Sequence, residues 1–331
     1  MDNLFEAFNN LRILIVGDVM LDIYLQGQVD RISPEAPVPI VAVKERFLRL
    51  GGAANVAQNI RALGAEPVLC AVVGYDENAN EMLALMKEHD MPTEGVVRSR
   101  HRITTAKERV IGNNAQMLRI DTEDTFDLTD EEDALLCERV KNIIDNQRVD
   151  GIILQDYNKG VLTESVITKV IAWANEKNIP VSVDPKKKNF TTFRNCTFFK
   201  PNLKELKEGI NGKFATDSVD GILQGVEILQ SMLKCRYVMT TLSERGVLIR
   251  DGKTGAHIHL PAHLRKIADV SGAGDTVLSV AALCLALGCD AATIAGLSNL
   301  AGGLVCEELG AVPVNKDRLF YEAERLKIAV K

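Results

Sequence analysis

The chain has 331 residues, 46% of them hydrophobic and 25% charged, with a net charge of -6. This length and apolar content suit one large α/β domain or two small ones and exclude a disordered chain. The acidic balance excludes a general binder of the nucleic-acid backbone, while a local basic cluster can still hold a phosphate ligand.

The opening MDNLFEAFNN is acidic and polar, unlike a secretory leader. A first strand is predicted at Arg12–Val16, running into Gly17-Asp18-Val19-Met20-Leu21-Asp22. A dinucleotide-binding fold would place G-x-G-x-x-G here; the carboxylates of Asp18 and Asp22 repel a pyrophosphate and suit polyol hydroxyls. The P-loop pattern G-x-x-x-x-G-K-[ST] is absent as well. Gln26–Val43, with Pro34, Pro37 and Pro39, alternates without a helical period. Gly51-Gly52-Ala53-Ala54-Asn55-Val56-Ala57 then opens a helix predicted over Ala53–Leu63. Its glycines admit close approach of a ligand, and Asn55 can donate to and accept from sugar hydroxyls, although the same residues also suit an ordinary small-residue helix start.

A strand at Val68–Val73 and a helix at Glu77–His89 precede a second irregular stretch, Val96–Asp121, which carries Arg109 and Arg119. The two irregular stretches are expected to form a small antiparallel sheet projecting from the main body. Further on, helices are predicted at Asp130–Asn146, Ser165–Lys177 and Val219–Leu233, and strands at Gly151–Leu154, Val181–Val183, Thr197–Phe199, Tyr237–Thr240 and Val247–Ile249. Continuous apolar strands alternating with helices predict a parallel sheet covered on both faces. With no repeat or long linker, a single domain over 1–331 is expected. Asp184-Pro185-Lys186-Lys187-Lys188 follows one strand and offers cations for a phosphate. Lys200-Pro201-Asn202-Leu203-Lys204-Glu205 follows another. Asn202 and Glu205, three apart at a helix start, can face one Mg²⁺ through waters, but N-x-x-E also reads as a capping box.

His257, His259 and His263 lack a carboxylate or thiolate partner nearby and read as an exposed strand edge rather than a metal set. The strongest motif is Asp269-Val270-Ser271-Gly272-Ala273-Gly274-Asp275-Thr276, ahead of the apolar run Val277–Leu287. Small residues at a helix start expose N–H groups to an anion. A carboxylate beside that anion, Asp275, then suits a general base for phosphoryl transfer. The last third reads as three helices. The longest apolar run, Val277–Cys289, is too short for a bilayer. Seven cysteines without a C-x-x-C pair read as reduced core thiols, so a cytoplasmic protein with no membrane or nucleic-acid partner is expected.

Taken together, these motifs resemble the ribokinase-like carbohydrate kinases, also called the phosphofructokinase-B family. G-G-x-x-N at Gly51–Asn55, N-x-x-E at Asn202–Glu205 and D-x-x-G-A-G-D at Asp269–Asp275 stand in that family's order across essentially the whole chain. The resemblance implies an α/β/α fold: a doubly wound, mostly parallel sheet between helices, with a small β-lid built from residues 18–45 and 96–121 and a homodimer formed through that lid. A narrower likeness lies in Arg31-Ile32-Ser33-Pro34-Glu35-Ala36-Pro37-Val38-Pro39, Asp156-Tyr157-Asn158-Lys159-Gly160 and Asp184-Pro185-Lys186, which are similar to the D-glycero-β-D-manno-heptose-7-phosphate kinases.

That likeness implies transfer of the ATP γ-phosphoryl group, with Mg²⁺, to the anomeric hydroxyl of the heptose phosphate, giving the 1,7-bisphosphate used for lipopolysaccharide core. It implies sugar contacts from Asp18, Asp22, Gly51, Gly52 and Asn55, and a 7-phosphate held by Lys186, Arg31 and Arg109. ATP would lie across Thr241, Ser243, Gly246 and the Gly272-Ala273-Gly274 turn, with Asn202 beside it and Asn299 near the base, while Asn202 and Glu205 organise the metal. Relatives are often fused to an adenylyltransferase with an H-x-G-H motif; none occurs here, so that enzyme is expected as a separate partner. Ser271 replaces the usual Thr and Glu108 a common Leu, away from the proposed chemistry. The rival readings are the same fold acting on fructose phosphate, ribose or a nucleoside, and a non-catalytic sugar-phosphate sensor, which the presence of Asp275 disfavours.

Overall fold

A computed structural model of the chain describes residues 1–212, 214–263 and 265–328, so positions 329–331 of the expected domain lie outside the described residues. The N-terminal part comprises α1 (Asp2–Phe8), β1 (Arg12–Gly17), β2 (Val19–Ile32), β3 (Pro39–Gly52), α2 (Ala53–Ala62), β4 (Glu66–Val73), α3 (Glu77–Glu88), β5 (Val96–Arg98), β6 (Ala106–Gly112) and β7 (Ala115–Thr122). The middle follows with α4 (Asp130–Asn146), β8 (Gly151–Gln155), α5 (Glu164–Glu176), β9 (Val181–Asp184), β10 (Phe198–Phe199), α6 (Leu203–Gly209) and α7 (Val219–Leu233). β11 (Tyr237–Thr241), β12 (Val247–Asp251), β13 (His257–Leu260), α8 (Ala273–Ala286), α9 (Ala291–Val305) and α10 (Lys316–Arg325) complete it.

Nine strands form the main sheet in the order β13-β12-β11-β10-β9-β8-β1-β4-β5. Every pairing from β11 to β5 is parallel, and only the β11–β12 and β12–β13 pairings are antiparallel. Successive side chains of a strand leave by opposite faces. Ile13 and Ile15 of β1 accordingly join one apolar cluster with α1, α2, α8 and α9, whereas Leu14 and Val16 join a second with α4, α5 and α7. Burial on both faces is why these strands read as unbroken apolar runs. α8 is buried along nearly its whole length and shows no polar face, as expected of a helix enclosed by the core. Among the described residues, no helix is long and apolar enough to cross a membrane.

The chain winds outward from β1 in both directions, through β4 and β5 on one side and through β8, β9 and β10 on the other. Such a reversal opens a crevice at the carboxyl ends of the central strands. Gly17, Gln155 and Asp184 stand at those ends.

A second sheet, ordered β3-β2-β6-β7, rises from the same edge. It departs from the expected antiparallel arrangement in two ways. β2 pairs with β6 in parallel, and Val96–Arg98 joins the edge of the main sheet as β5. Alternating polarity marks which face of a strand is buried but carries no information on strand direction, so the pairing was not readable from pattern. The β2–β3 ribbon runs from Ile32 opposite Pro39 down to Val19 opposite Gly52, so its root is the G-G motif itself.

Gly17 is locked against β8, where an added Cβ would lie 2.1 Å from the Gln155 carbonyl oxygen. Gly17→Ala should therefore destabilise the protein by about 1–3 kcal/mol, the range for forced overpacking, and displace Gln155. Thermal unfolding checks this, and an unchanged Tm would disprove the contact.

Candidate active site

Gly272 adopts a left-handed conformation (φ 78°) as the N-cap of α8, which lets the chain turn and present Asp275 in the first helical turn. The Asp275 side chain is buried and receives donors from three separate elements. Asn55 of α2 donates from Nδ2 to Oδ2 at 2.7 Å. Gln155, at the end of β8, donates from Nε2 to Oδ1 at 3.0 Å, and the Tyr157 hydroxyl donates to the same oxygen at 2.8 Å. Burial pushes the carboxyl up to about 6, the Asn55 bond pulls it back, and the nearby Asp184 charge adds to the rise. The result is a carboxylate still ionised at neutral pH but far more basic than a solvated aspartate, the property a general base requires.

Beside it lies a cavity of about 230 Å³ bounded by Tyr157, Asp184, Lys186, Lys200, Asn202, Glu205, Thr241, Gly272, Gly274 and Asp275. The sequence-predicted residues Lys186, Asn202, Glu205, Thr241, Gly272, Gly274 and Asp275 thus converge here. Lys186 lies between Glu205 Oε1 (2.6 Å) and Asp184 Oδ1 (3.5 Å), above the Tyr157 ring. It lines the same cavity as Gly272 and Gly274. Asn202 and Glu205 form the reciprocal capping box of α6: Glu205 N–H to Asn202 Oδ1 and Asn202 N–H to Glu205 Oε2. The cap uses one Glu205 oxygen and leaves the other to the Lys186 ammonium.

Four contributors had no assigned role in the sequence: Gln155, Tyr157, Asp184 and Lys200. The Lys200 ammonium is buried 3.0 Å from Asp184 Oδ2, and a Cβ on Gly274 would come within 3.6 Å of it. Two lysines and the glycines of a helix start line a cavity that suits a polyphosphate. Asp184 and Glu205, with a cation already between them, offer the hard oxygen donors that suit Mg²⁺. The common signal was position, since each of the four follows or ends a parallel strand at its carboxyl end.

Asp18 and Asn55, expected to meet a sugar, give their polar groups to the protein itself. The Asp18 carboxylate accepts the backbone N–H groups of Tyr157 (2.7 Å), Lys159 (3.1 Å) and Val161 (3.0 Å), pinning the loop that presents Tyr157. Asn55 is fully buried and gives its amide to Asp275 rather than to the open crevice. Asn299 donates to the Pro261 carbonyl at 2.9 Å, flanking α8 from the side of the loop before it. Arg31 is exposed at the far end of β2, roughly 30 Å along the strand from Asp22 at 3.3 Å per residue. Ser243 and Gly246 form the short turn after β11, adjoining Thr241, and Ala273 begins α8.

Asp22, Gly51 and Arg109 share one face of the second sheet. Arg109 pairs with Asp22 at 2.5 Å and lies over the Tyr24 ring, while a Cβ on Gly51 would touch Asp22 Oδ2. Gly52 (φ 60°) caps α2 directly beside them. His259 donates from Nε2 to the Arg245 carbonyl, and among the described residues no group of three or more His, Cys, Asp or Glu could hold a metal ion.

The profile described as pfkB family carbohydrate kinase matches residues 10–318. The bifunctional protein HldE of Methylobacillus flagellatus is 39% identical over 319 residues, covering 96% of this chain and 64% of its own length. HldE of Caulobacter sp. strain K31 is 40% identical, covering 95% of this chain and 63% of its own. The chain thus spans somewhat less than two thirds of these relatives. Among solved structures, Escherichia coli phosphofructokinase-2 in complex with substrates and products superposes with a TM-score of 0.79 at 19% identity, over 96% of this chain and 99% of that one. Arabidopsis thaliana ribokinase complexed with ribose and ATP gives 0.71 at 16%, over 93% and 98%. At such identities these two speak for the fold alone.

Asp156, between the base-supporting residues Gln155 and Tyr157, is pushed up to about 7 by burial and by the neighbouring Asp18 charge. A folded-state value above the unfolded one means that the native state binds more protons between about pH 4 and 7, so stability falls as pH rises through that window. Asp156→Asn should remove this dependence, so that the Tm of the variant minus that of the parent increases by several degrees from pH 5 to pH 8. Parallel Tm–pH curves would contradict the assignment.

Proposed function

The chain belongs to the pfkB family of carbohydrate kinases, and within it we propose that this sugar kinase phosphorylates D-glycero-β-D-manno-heptose 7-phosphate at the anomeric hydroxyl, using ATP and Mg²⁺. The observation that carries the reading is Asp275: a buried, basic carboxylate at a helix tip, flanked by a cationic, phosphate-sized cavity. The heptose assignment is supported by the HldE relatives and by the Arg31–Pro39 motif.

The sugar would lie between the second sheet, acting as a lid, and the start of α2, against Asp22, Gly51 and Gly52. Each carboxylate oxygen has two acceptor positions. Oδ1 of Asp275 is filled by Gln155 and Tyr157, whereas Oδ2 accepts only Asn55 among the described donors. Oδ2 is therefore the oxygen that takes the proton as the sugar oxygen attacks phosphorus in line. The N–H groups of Gly272–Gly274, with Lys186 and Lys200, would face the transferring group and balance its charge. Mg²⁺, when bound near Asp184, Glu205 and Asn202, supplies further charge neutralisation. Arg109 is the lid cation we assign to the 7-phosphate. A second copy packed on the lid would cover the exposed Met117, Leu118 and Ile120 of β7 and bring Arg31 toward a neighbouring site. A separate adenylyltransferase would act on the bisphosphate product.

Asp275→Asn should keep ATP binding while lowering kcat by roughly 10²–10⁴, the usual range for a general base; near-normal turnover in a coupled ADP-release assay would refute it. In the parent enzyme, kcat/KM should fall on the acid side with an apparent pKa near about 6. The same assay with heptose 7-phosphate, fructose 6-phosphate and ribose decides the substrate, and a preference for either of the latter two would overturn the heptose assignment.

A further inference from the structure

The segment after α9 is clamped from the lid by a residue outside the chemistry described above. Arg49 of β3 donates from Nη1 to the carbonyl oxygens of Leu309 (2.7 Å) and Ala311 (3.4 Å). Its guanidinium is steered by the stacked rings of Tyr24 and Phe47, 5.5 and 5.8 Å away. Between the two carbonyls, the Gly310 N–H donates to Asp269 Oδ2 at 2.9 Å, and Asp269 Oδ1 accepts the Ser271 N–H at 2.9 Å. An unbroken path therefore runs from β3 through Arg49, the 309–311 backbone and Asp269 to the turn that presents Gly272–Gly274.

Two features make this path stiff. Gly310 has φ 73°, and a Cβ there would sit 2.6 Å from Arg49 Nη1 and 3.0 Å from the Tyr24 oxygen, so the loop is pressed against the guanidinium. At the other end of the segment, the Cys306 carbonyl accepts the N–H groups of Ala268 and Asp269, while Arg265 bridges Glu307 and Glu322. The start of the path is on the sugar side: Arg49 stands opposite Asp22 in the β2–β3 register and two residues before Gly51.

We propose that Arg49 is a positioning residue that couples the sugar-facing lid strand to the phosphate-facing turn, so that seating a sugar against Asp22 and Gly51 orders the Asp269–Gly274 turn and tightens nucleotide binding. The coupling rests on the sugar and phosphate assignments made above; the clamp itself does not.

Arg49→Met keeps an unbranched apolar side chain beside the two rings but removes the Nη1 donor of both hydrogen bonds. Amide hydrogen exchange on the ligand-free protein should show the Ser271 and Gly310 amides exchanging about tenfold faster or more, as expected when a local opening loses roughly 1.4 kcal/mol of protection, with β1 and β8 unchanged. Gly310→Ala, which pushes the guanidinium away from the loop side, should give the same pattern, and Arg49→Lys should restore part of the protection. Calorimetric binding of the β,γ-imido analogue of ATP, with and without heptose 7-phosphate, should show tightening by the sugar of about fivefold or more in the parent. In Arg49→Met that ratio should fall to about one while each ligand alone binds within about twofold of normal. Unchanged exchange at Ser271 and Gly310 in both variants overturns the clamp whatever the substrate. Faster exchange with an undiminished sugar effect overturns the coupling. Failure of the parent to bind the nucleotide analogue would sink the kinase reading, while the exchange data still decide whether Arg49 holds the turn.

Discussion

Burying a carboxylate at the start of an apolar helix strips it of water, and Asn55, Gln155 and Tyr157 replace that water around Asp275. Hydrogen bonds to a charged group contribute about 1.5–3 kcal/mol each, enough for three of them to hold an ionised side chain in the interior. Each donor is delivered by a different device. Asn55 comes from a helix started at Gly52, Gln155 from a strand end pressed on Gly17, and Tyr157 from a loop fastened to Asp18. The two G-rich motifs, more than two hundred residues apart in the chain, thus meet at a single side chain.

The charges around that carboxylate are arranged to oppose one another. Asp184 raises its proton affinity, and Lys200, ion-paired to Asp184, lowers it. A buried ion pair seldom repays its own desolvation, so the Asp184–Lys200 pair is weak as a stabilising device. Its placement against Gly274 gives it a different meaning, since an ammonium fixed at a helix tip strengthens an anion site without requiring reorganisation when the anion arrives. Lys186, shared between Asp184 and Glu205, extends the same cationic wall toward the cap of α6.

The second sheet is built to a different rule from the main one. Its strands are long and partly exposed, and β7 turns apolar side chains to solvent, whereas the central strands of the main sheet are enclosed on both faces. It is joined to the body where β2 and β3 converge on Val19 and Gly52 and where Arg49 meets the loop beyond α9.

The residues alone determined the alternating α/β plan, because strands covered on two faces must be apolar throughout and helices between them must be amphipathic. They also pointed to Asp275, because small residues and a carboxylate together ahead of an apolar helix suit a ligand-bearing turn. Tertiary structure decided the rest. Whether Asp18 and Asn55 meet a ligand or the protein itself depends on which N–H groups and carboxylates the fold brings to them. The ion pairs of Lys186 with Glu205 and Asp184 likewise join residues that only the fold brings together. Gln155 lay in no motif, and Tyr157 and Lys200 stood inside motifs without an assigned role; their place at the ends of neighbouring parallel strands shows what they touch. Strand order and direction are set by long-range packing and chain connection, which local hydrophobic period does not encode.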